Sequence, residues 1–397
     1  MNTFIQIPKQ AYLLSICQGL GITVAVIAVT VSALAGEEIS GSSSLATIPY
    51  GFQFFAIILM SSFLSLLAER IGRKKMFLLA ALIGFFAGAL AVIALDQKSF
   101  LLLIGAHFLL GFFLTSVNLY RFSVLEITPE AARPYAINLV LFGGVLASLL
   151  GPFISRNVES IVPIGLYKSI YVSICLICIV IIILISFLRF STINSNSANV
   201  NESVNNNKIS SSLLFIFSAT CGGLSYGLMN LLMTASSLEM KNLGFDFNSI
   251  TWIIQIHVFS MFFPSLFSGF LIKKIGIKKL IVIGILIQVI CNLIAFQYLD
   301  NTGFLLSLLL LGISWNFLYV GSSYIVGQIF TSEEKFKAQG INDTIVHIFS
   351  TSGAMFAGWL LAFLGWQSLN LFSLFLITAL LLAYLSVMRQ PSTSGLR

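Results

Sequence analysis

The sequence predicts an all-α integral membrane protein with twelve spanning helices, arranged as two similar six-helix halves. Three observations carry that prediction. Hydrophobic residues make up 58% of the 397-residue chain and charged residues only 9%. A soluble domain carries about a quarter charged residues, so this chain has too few to cover a water-facing surface. Twelve apolar stretches are each long enough to cross a bilayer, which takes about 20 residues. Finally, signals in the first half recur at a constant offset of 204 residues in the second.

The first stretch, 11–35, follows a short, moderately polar N-terminus. It exceeds the apolar region of a cleaved signal peptide, so it is expected to remain in the mature protein as helix one. After Gly36-Glu37-Glu38 comes 45–68, and after the polar segment 69–75 comes 76–95. Asp96-Gln97-Lys98 separates 76–95 from 99–122, and 135–154 and 168–188 complete the first half. The second half runs through 212–236 and 249–271. The basic segment 273–279 precedes 280–299, Asp300-Asn301 precedes 303–328, and 332–337 precedes 341–363 and 369–388. Between the halves, residues 191–211 read STINSNSANVNESVNNNKISS. Such an Asn/Ser-rich segment buries too little apolar surface to fold and is expected to be a flexible cytoplasmic linker. The expected domains are therefore a six-helix bundle over 1–190, a linker over 191–211 and a second six-helix bundle over 212–397.

Basic residues orient the chain. With the N-terminus inside, only Lys98, Arg156, Lys168 and Lys241 of the 21 Lys and Arg fall in outer segments. The opposite topology inverts that bias. Both termini are therefore expected on the cytoplasmic side.

The internal repeat rests on four matches. Cys17-x-Gly19-Leu20 pairs with Cys221-x-Gly223-Leu224, and Gly72-x-Lys74-Lys75 with Gly276-x-Lys278-Lys279. Leu95-Asp96 pairs with Leu299-Asp300. The element Glu130-x-x-Arg133-x-x-Ala136-Ile137-Asn138 pairs with Glu334-x-x-Lys337-x-x-Gly340-Ile341-Asn342. Four matches at one offset argue for duplication. An even number of spans per half keeps both halves in the same orientation, the parallel-repeat arrangement with a pseudo-two-fold axis along the membrane normal.

The segment after helix two reads Ser65-Leu-Leu-Ala-Glu69-Arg70-Ile-Gly72-Arg73-Lys74-Lys75. It resembles the G-x-x-x-D-R-x-G-R-[RK] signature of the major facilitator superfamily, with Ser65 for the first Gly and Glu69 for the Asp. The second copy begins at Gly269 and keeps Gly276, but has Lys273 at the acidic position. A Gly permits the tight turn, and the acid can accept from a helix N-terminus or an Arg. The resemblance implies the twelve-helix facilitator fold and a cytoplasmic latch of Ser65, Glu69, Arg70, Gly72, Arg73, Lys74, Gly269 and Gly276, which favours the outward-open state. The bland alternative is a positive-inside anchor. Helix five carries Gly143-Gly144 and Gly151-Pro152, similar to the Gly-Pro element of facilitator exchangers. Gly144, Gly151 and Pro152 are expected to serve close helix packing. The segments Met233-Thr-Ala-Ser-Ser-Leu-Glu-Met240 and Gln255-Ile-His257-Val-Phe-Ser-Met261-Phe-Phe-Pro264-Ser265 resemble a bacterial facilitator subgroup that includes riboflavin and siderophore-type carriers.

Ionisable groups inside spans are costly and usually functional. Four stand out: His107, His257, and the i, i+4 pair Asp343 and His347. Histidine is the natural proton carrier near neutral pH, and a neighbouring carboxylate helps it hold the proton, so these four are the proton-coupling candidates. The alternative for each His is a bond to a backbone carbonyl and a packing role. His107, Gly111, Thr115 and Asn118 follow helical spacing and make one polar face. Gln18, Asn118, Asn230, Gln255, Trp315 and Asn316 are the candidates for lining a substrate cavity; aromatic residues beside such polar groups suit a partly apolar organic molecule.

All five cysteines lie in apolar runs. Cys175-x-x-Cys178 has metal or redox spacing, but either use needs a thiolate in polar surroundings, so they are read as small buried residues. No phosphate-binding loop, zinc motif or nucleophile elbow occurs. The reading is not an enzyme, with no cofactor, no metal and no nucleic-acid partner. The expected function is proton-coupled alternating-access transport of a small organic molecule across the bacterial inner membrane by a monomer in the lipid bilayer. Uptake of a nutrient, vitamin or siderophore leads. Proton/drug antiport of toxic amphiphiles and a non-transporting receptor or scaffold are the alternatives.

Overall fold

A computed structural model describes residues 8–129, 132–189, 213–329 and 332–387. The linker expected at 191–211 lies outside the described residues, as does part of the fourth repeat match. Among the described residues every regular element is a helix.

The chain divides into two compact units, Met1–Ser195 and Asn196–Arg397. The first holds α1 (Lys9–Ser40), α2 (Ile48–Ile71), α3 (Arg73–Asp96), α4 (Phe100–Glu126), α5 (Arg133–Ile161) and α6 (Leu166–Ser186). The second holds α7 (Leu213–Asn242), α8 (Phe247–Phe262), α9 (Ser265–Ile275), α10 (Ile277–Gln297), α11 (Asn301–Ile329) and α12 (Ser332–Val387). Among the described residues ten helical stretches are long and apolar enough to span a membrane. The last, Ala338–Val387, is 50 residues long, twice what one crossing needs. With its two limbs separated and the 29-residue α5 added, the chain makes the twelve expected passes.

Three boundaries differ from expectation. The Gly36-Glu37-Glu38 break is helical, because α1 runs on to Ser40 and stops at Gly41, whose φ of 65° is left-handed. Gly36 serves close packing and not a chain break: a side chain there would strike the Ala46 carbonyl. The eighth span is broken into α8 and α9 at Phe263-Pro264, where proline has no N–H to continue the ladder. The polar segment 332–337 opens α12 instead of separating helices. The turn that divides the last two passes is a single residue, Gly365, at φ 74° and ψ 164°, a region only glycine enters readily.

Each unit repeats the same internal packing. In the first, α1 and α5 touch through glycines: a Cβ on Gly143 would sit 2.9 Å from the Gly19 backbone, and one on Gly151 would meet Val26 at 2.7 Å. In the second, a Cβ on Gly353 of α12 would lie 2.1 Å from the Gly227 carbonyl oxygen of α7. Small residues allow such backbone contact between membrane helices. The third and sixth passes of each unit are antiparallel and tied at both ends. Lys74 Nζ donates to the Ser186 carbonyl at 2.5 Å and Lys168 pairs with Asp96 at 2.8 Å. Their counterparts are Tyr384 donating to the Lys278 carbonyl at 3.0 Å and Trp366 to the Ala295 carbonyl at 2.8 Å. Gly72 and Gly276, matched in sequence, also match in backbone: φ 86°, ψ 150° and φ 83°, ψ 154°.

Candidate functional site

The first unit buries His107 completely. Its Nδ1 lies 3.1 Å from Gln53 Oε1 on α2, and its Nε2 2.8 Å from the Tyr171 hydroxyl on α6. An amide oxygen only accepts, so Nδ1 carries the proton and Nε2 accepts from the tyrosine. One turn on, a Cβ at Gly111 would fall 2.2 Å from the Gln53 carbonyl oxygen and 2.7 Å from Ala56 Cβ. The His107–Gly111 half of the expected polar face is therefore packed against α2 instead of open to a cavity. Thr115 turns its hydroxyl back to the Gly111 carbonyl at 2.8 Å, and Asn118 is half-buried. Sequence reading missed Gln53 and Tyr171, since each is one polar residue in an apolar run.

The second unit buries His257 equally, with a different outcome. Nδ1 donates to the Leu308 carbonyl of α11 at 2.7 Å, while Nε2 is buried without a hydrogen-bond partner among the described residues. The ring is thus fixed as the Nδ1–H tautomer and presents a vacant acceptor. Gly312, one turn beyond Leu308, lets α11 ride directly on α8: a Cβ there would meet the Ser260 hydroxyl at 2.0 Å and the His257 carbonyl at 2.7 Å.

The cavity candidates divide by what their polar atoms already do. Asn230 donates to Ser350 Oγ at 2.7 Å and to the Ser350 carbonyl at 3.2 Å, bracing α7 on α12. Asn316 donates to the Met261 carbonyl at 2.7 Å and Ser265 Oγ at 2.5 Å. It thereby satisfies a carbonyl at the α8–α9 break. Gln255 is buried. Gln18 Oε1 and Trp315 Nε1 are both buried and without partners among the described residues. Asn316 Oδ1 shares that state; an orphaned buried polar atom costs about 1–3 kcal/mol, which a visiting group can offset. Around Trp315 stand Tyr226, Phe262 and Tyr319, three rings no motif singled out.

Asp343 and His347 occupy successive turns of α12, as their spacing requires. Asp343 is exposed in the chain, with the Asn342 side-chain amide at a long 3.4 Å; His347 is half-buried.

The residues of the expected latch lie along the end of α2 and the α2–α3 turn, with Gly269 and Gly276 at the matching place in the second unit. Gly72 caps α2 and opens α3, and Gly276 does the same between α9 and α10. Arg73 makes a two-pronged pair with Glu126 at the end of α4, Nη2 to Oε1 2.8 Å and Nε to Oε1 3.2 Å. Ser65 is half-buried in α2, while Glu69 and Arg70 are exposed. Gly269 lies in α9. On α5, Gly143 and Gly151 make the close approach to α1; Gly144 and Pro152 are buried, and the helix continues through Pro152. All five cysteines are free and buried.

Comparisons with known proteins agree with this architecture. The chain is 29% identical to the riboflavin transporter RfnT of Brucella anthropi over 384 residues, covering 96% of each. Its fold matches the crystal structure of the nucleoside transporter NupG with a TM-score of 0.74, covering 96% of this chain and 100% of the other at 15% identity. It matches the D-xylose–proton symporter with a TM-score of 0.75, covering 98% and 99% at 16% identity. The family model of the Major Facilitator Superfamily matches residues 11–221 and again 215–396. The chain is a multi-pass membrane transporter of small molecules, not an enzyme, and belongs to the Major Facilitator Superfamily.

Proposed function

We propose that this chain imports a vitamin-like organic molecule of the riboflavin class together with protons, by alternating access. The observation that carries the coupling is the vacant Nε2 of His257, a buried imidazole in a spanning helix whose Nδ1–H is already committed to Leu308. Protonation there turns an acceptor into a donor. A substrate carrying a carbonyl or ring nitrogen binds the protonated site better, so proton and substrate favour each other's binding by the same factor. A carrier that loads both together moves the substrate inward wherever protons are in excess outside. The likeness to a riboflavin transporter along 96% of both chains supports the choice of substrate. Asp343 and His347 are a second proton step on α12. The domain limits remain 1–190, 191–211 and 212–397, with both termini at the cytoplasmic face of a bacterial inner membrane and the monomer as the working unit. The latch at the α2–α3 turn biases the carrier toward its outward-open state.

The test is riboflavin influx into proteoliposomes. Wild-type influx should rise with an inward proton gradient. In His257→Gln the stimulation should vanish while riboflavin counterflow persists, and Asp343→Asn and His347→Ala should each weaken it. Gradient-stimulated influx unchanged in His257→Gln removes that residue from coupling, and absence of riboflavin flux in the wild type removes the substrate assignment.

A further inference from the structure

Four rings from three helices meet in the second unit. Trp315 and Tyr319, one turn apart on α11, lie nearly parallel, with 7° between their planes and 5.3 Å between centroids. Tyr226 of α7 stands edge-on to both, at 5.2 and 5.6 Å. Phe262 of α8 stands edge-on to Trp315 at 6.4 Å. Stacked and edge-to-face contacts are the favoured arrangements of aromatic side chains, so core packing alone accounts for the rings.

Packing does not account for the Trp315 nitrogen. The indole is 6% exposed, its N–H can only donate, and it has no acceptor among the described residues. Buried indoles ordinarily find one. Trp366 in the same unit shows the ordinary solution, donating to the Ala295 carbonyl at 2.8 Å. The adjacent Asn316 does not help, since its own Oδ1 is also without a partner. A buried donor left unpaired beside an aromatic cluster is complementary to a flat ring with an acceptor on its rim.

We infer that Tyr226, Phe262, Trp315 and Tyr319 hold the ring of a planar heteroaromatic substrate, and that the Trp315 N–H selects it by donating to a carbonyl or ring nitrogen. This rests on the transport function proposed above and adds the chemical feature recognised and the residue that reads it. A ring of the same shape without an acceptor leaves the donor unpaired, and sites built around a buried polar group reject such analogues strongly.

The experiment uses the purified full chain and measures binding of riboflavin, a pteridinedione and a purine nucleoside, with naphthalene as a flat competitor lacking acceptors. At least one heteroaromatic probe should bind. Trp315→Phe, which keeps a ring but removes the donor, should lower its affinity on the order of tenfold. Trp359→Phe, at a site half exposed, should leave it unchanged. Naphthalene should fail to compete. Wild-type affinity in Trp315→Phe, effective competition by naphthalene, or no binding by any heteroaromatic probe overturns the inference. The naphthalene result is read on the wild type and decides the matter even if Trp315→Phe does not fold. Trp315-dependent binding of the pteridinedione without riboflavin binding sustains this inference and sinks the riboflavin assignment. Riboflavin binding that ignores Trp315 does the reverse.

Discussion

The Nε2 atom of His107 lies 2.8 Å from the Tyr171 hydroxyl, with Gln53 on the other ring nitrogen, so one imidazole ties α4 to both α2 and α6. His107→Ala leaves two buried polar groups unpaired and should cost about 1–3 kcal/mol, read as a lower unfolding temperature in detergent. Both ring nitrogens are engaged, so taking up a proton at Nε2 requires the Tyr171 hydroxyl to turn from donor to acceptor inside the packed core. The pH profile of transport in a folded His107→Gln variant should therefore match the wild type, in contrast to His257→Gln.

Gly353 and Gly340 lie on the same helix and predict opposite outcomes. A Cβ at Gly353 would sit 2.1 Å from the Gly227 carbonyl oxygen, whereas one at Gly340 meets nothing within 4 Å among the described residues. Gly353→Ala must push α7 from α12 and should destabilise by about 1–3 kcal/mol. Gly340→Ala should be neutral or stabilise by about 0.5–1 kcal/mol, through helix propensity and a less flexible unfolded chain. Thermal unfolding of the two variants side by side checks both.

The Arg73–Glu126 pair has good geometry but side chains 24% and 45% exposed. Exposed pairs contribute about 0.2–1 kcal/mol. A double-mutant cycle with Arg73→Ala and Glu126→Gln should give a coupling energy below about 1 kcal/mol that shrinks with added salt. A larger coupling, insensitive to salt, would show that the pair is shielded from water in the working protein.

Asp246 caps α8, accepting from the Ser249 amide at 3.4 Å. The hydrogen bond from the Ser249 side chain is the main cause holding its carboxyl below the usual carboxylate range. A depressed folded-state pKa stabilises above the unfolded value of about 3.9 and is lost as the pH falls through the folded value. Asp246→Ala should therefore unfold at a lower temperature than wild type at pH 7. The difference should close as the pH is taken below about 4.

Most of the architecture was legible because the bilayer imposes it. Hydropathy alone marks a spanning segment, since every backbone group in lipid must be satisfied within its own helix. Errors in reading the segments came where one residue's backbone mattered more than composition. Gly36 looked like a break and is helical, while Pro264 lay in an apolar run and divides α8 from α9. Repeat matching worked for Gly72 and Gly276 because only glycine serves the backbone angles both adopt.

Which polar residues stood inside spans was readable from the sequence; what each was bonded to was not. His107 and His257 look alike as lone histidines in apolar helices. They differ because Gln53 and Tyr171, 54 and 64 residues away in sequence, close both nitrogens of one ring, whereas Leu308 closes only one of the other. Trp315 likewise matters through Tyr226, Phe262 and Tyr319, brought together by helices no local pattern connects. The sequence by itself determined the class, the passes and the internal repeat, because lipid acts on each segment independently. Only the tertiary structure decided which buried donors and acceptors are satisfied, because that depends on partners supplied by other helices.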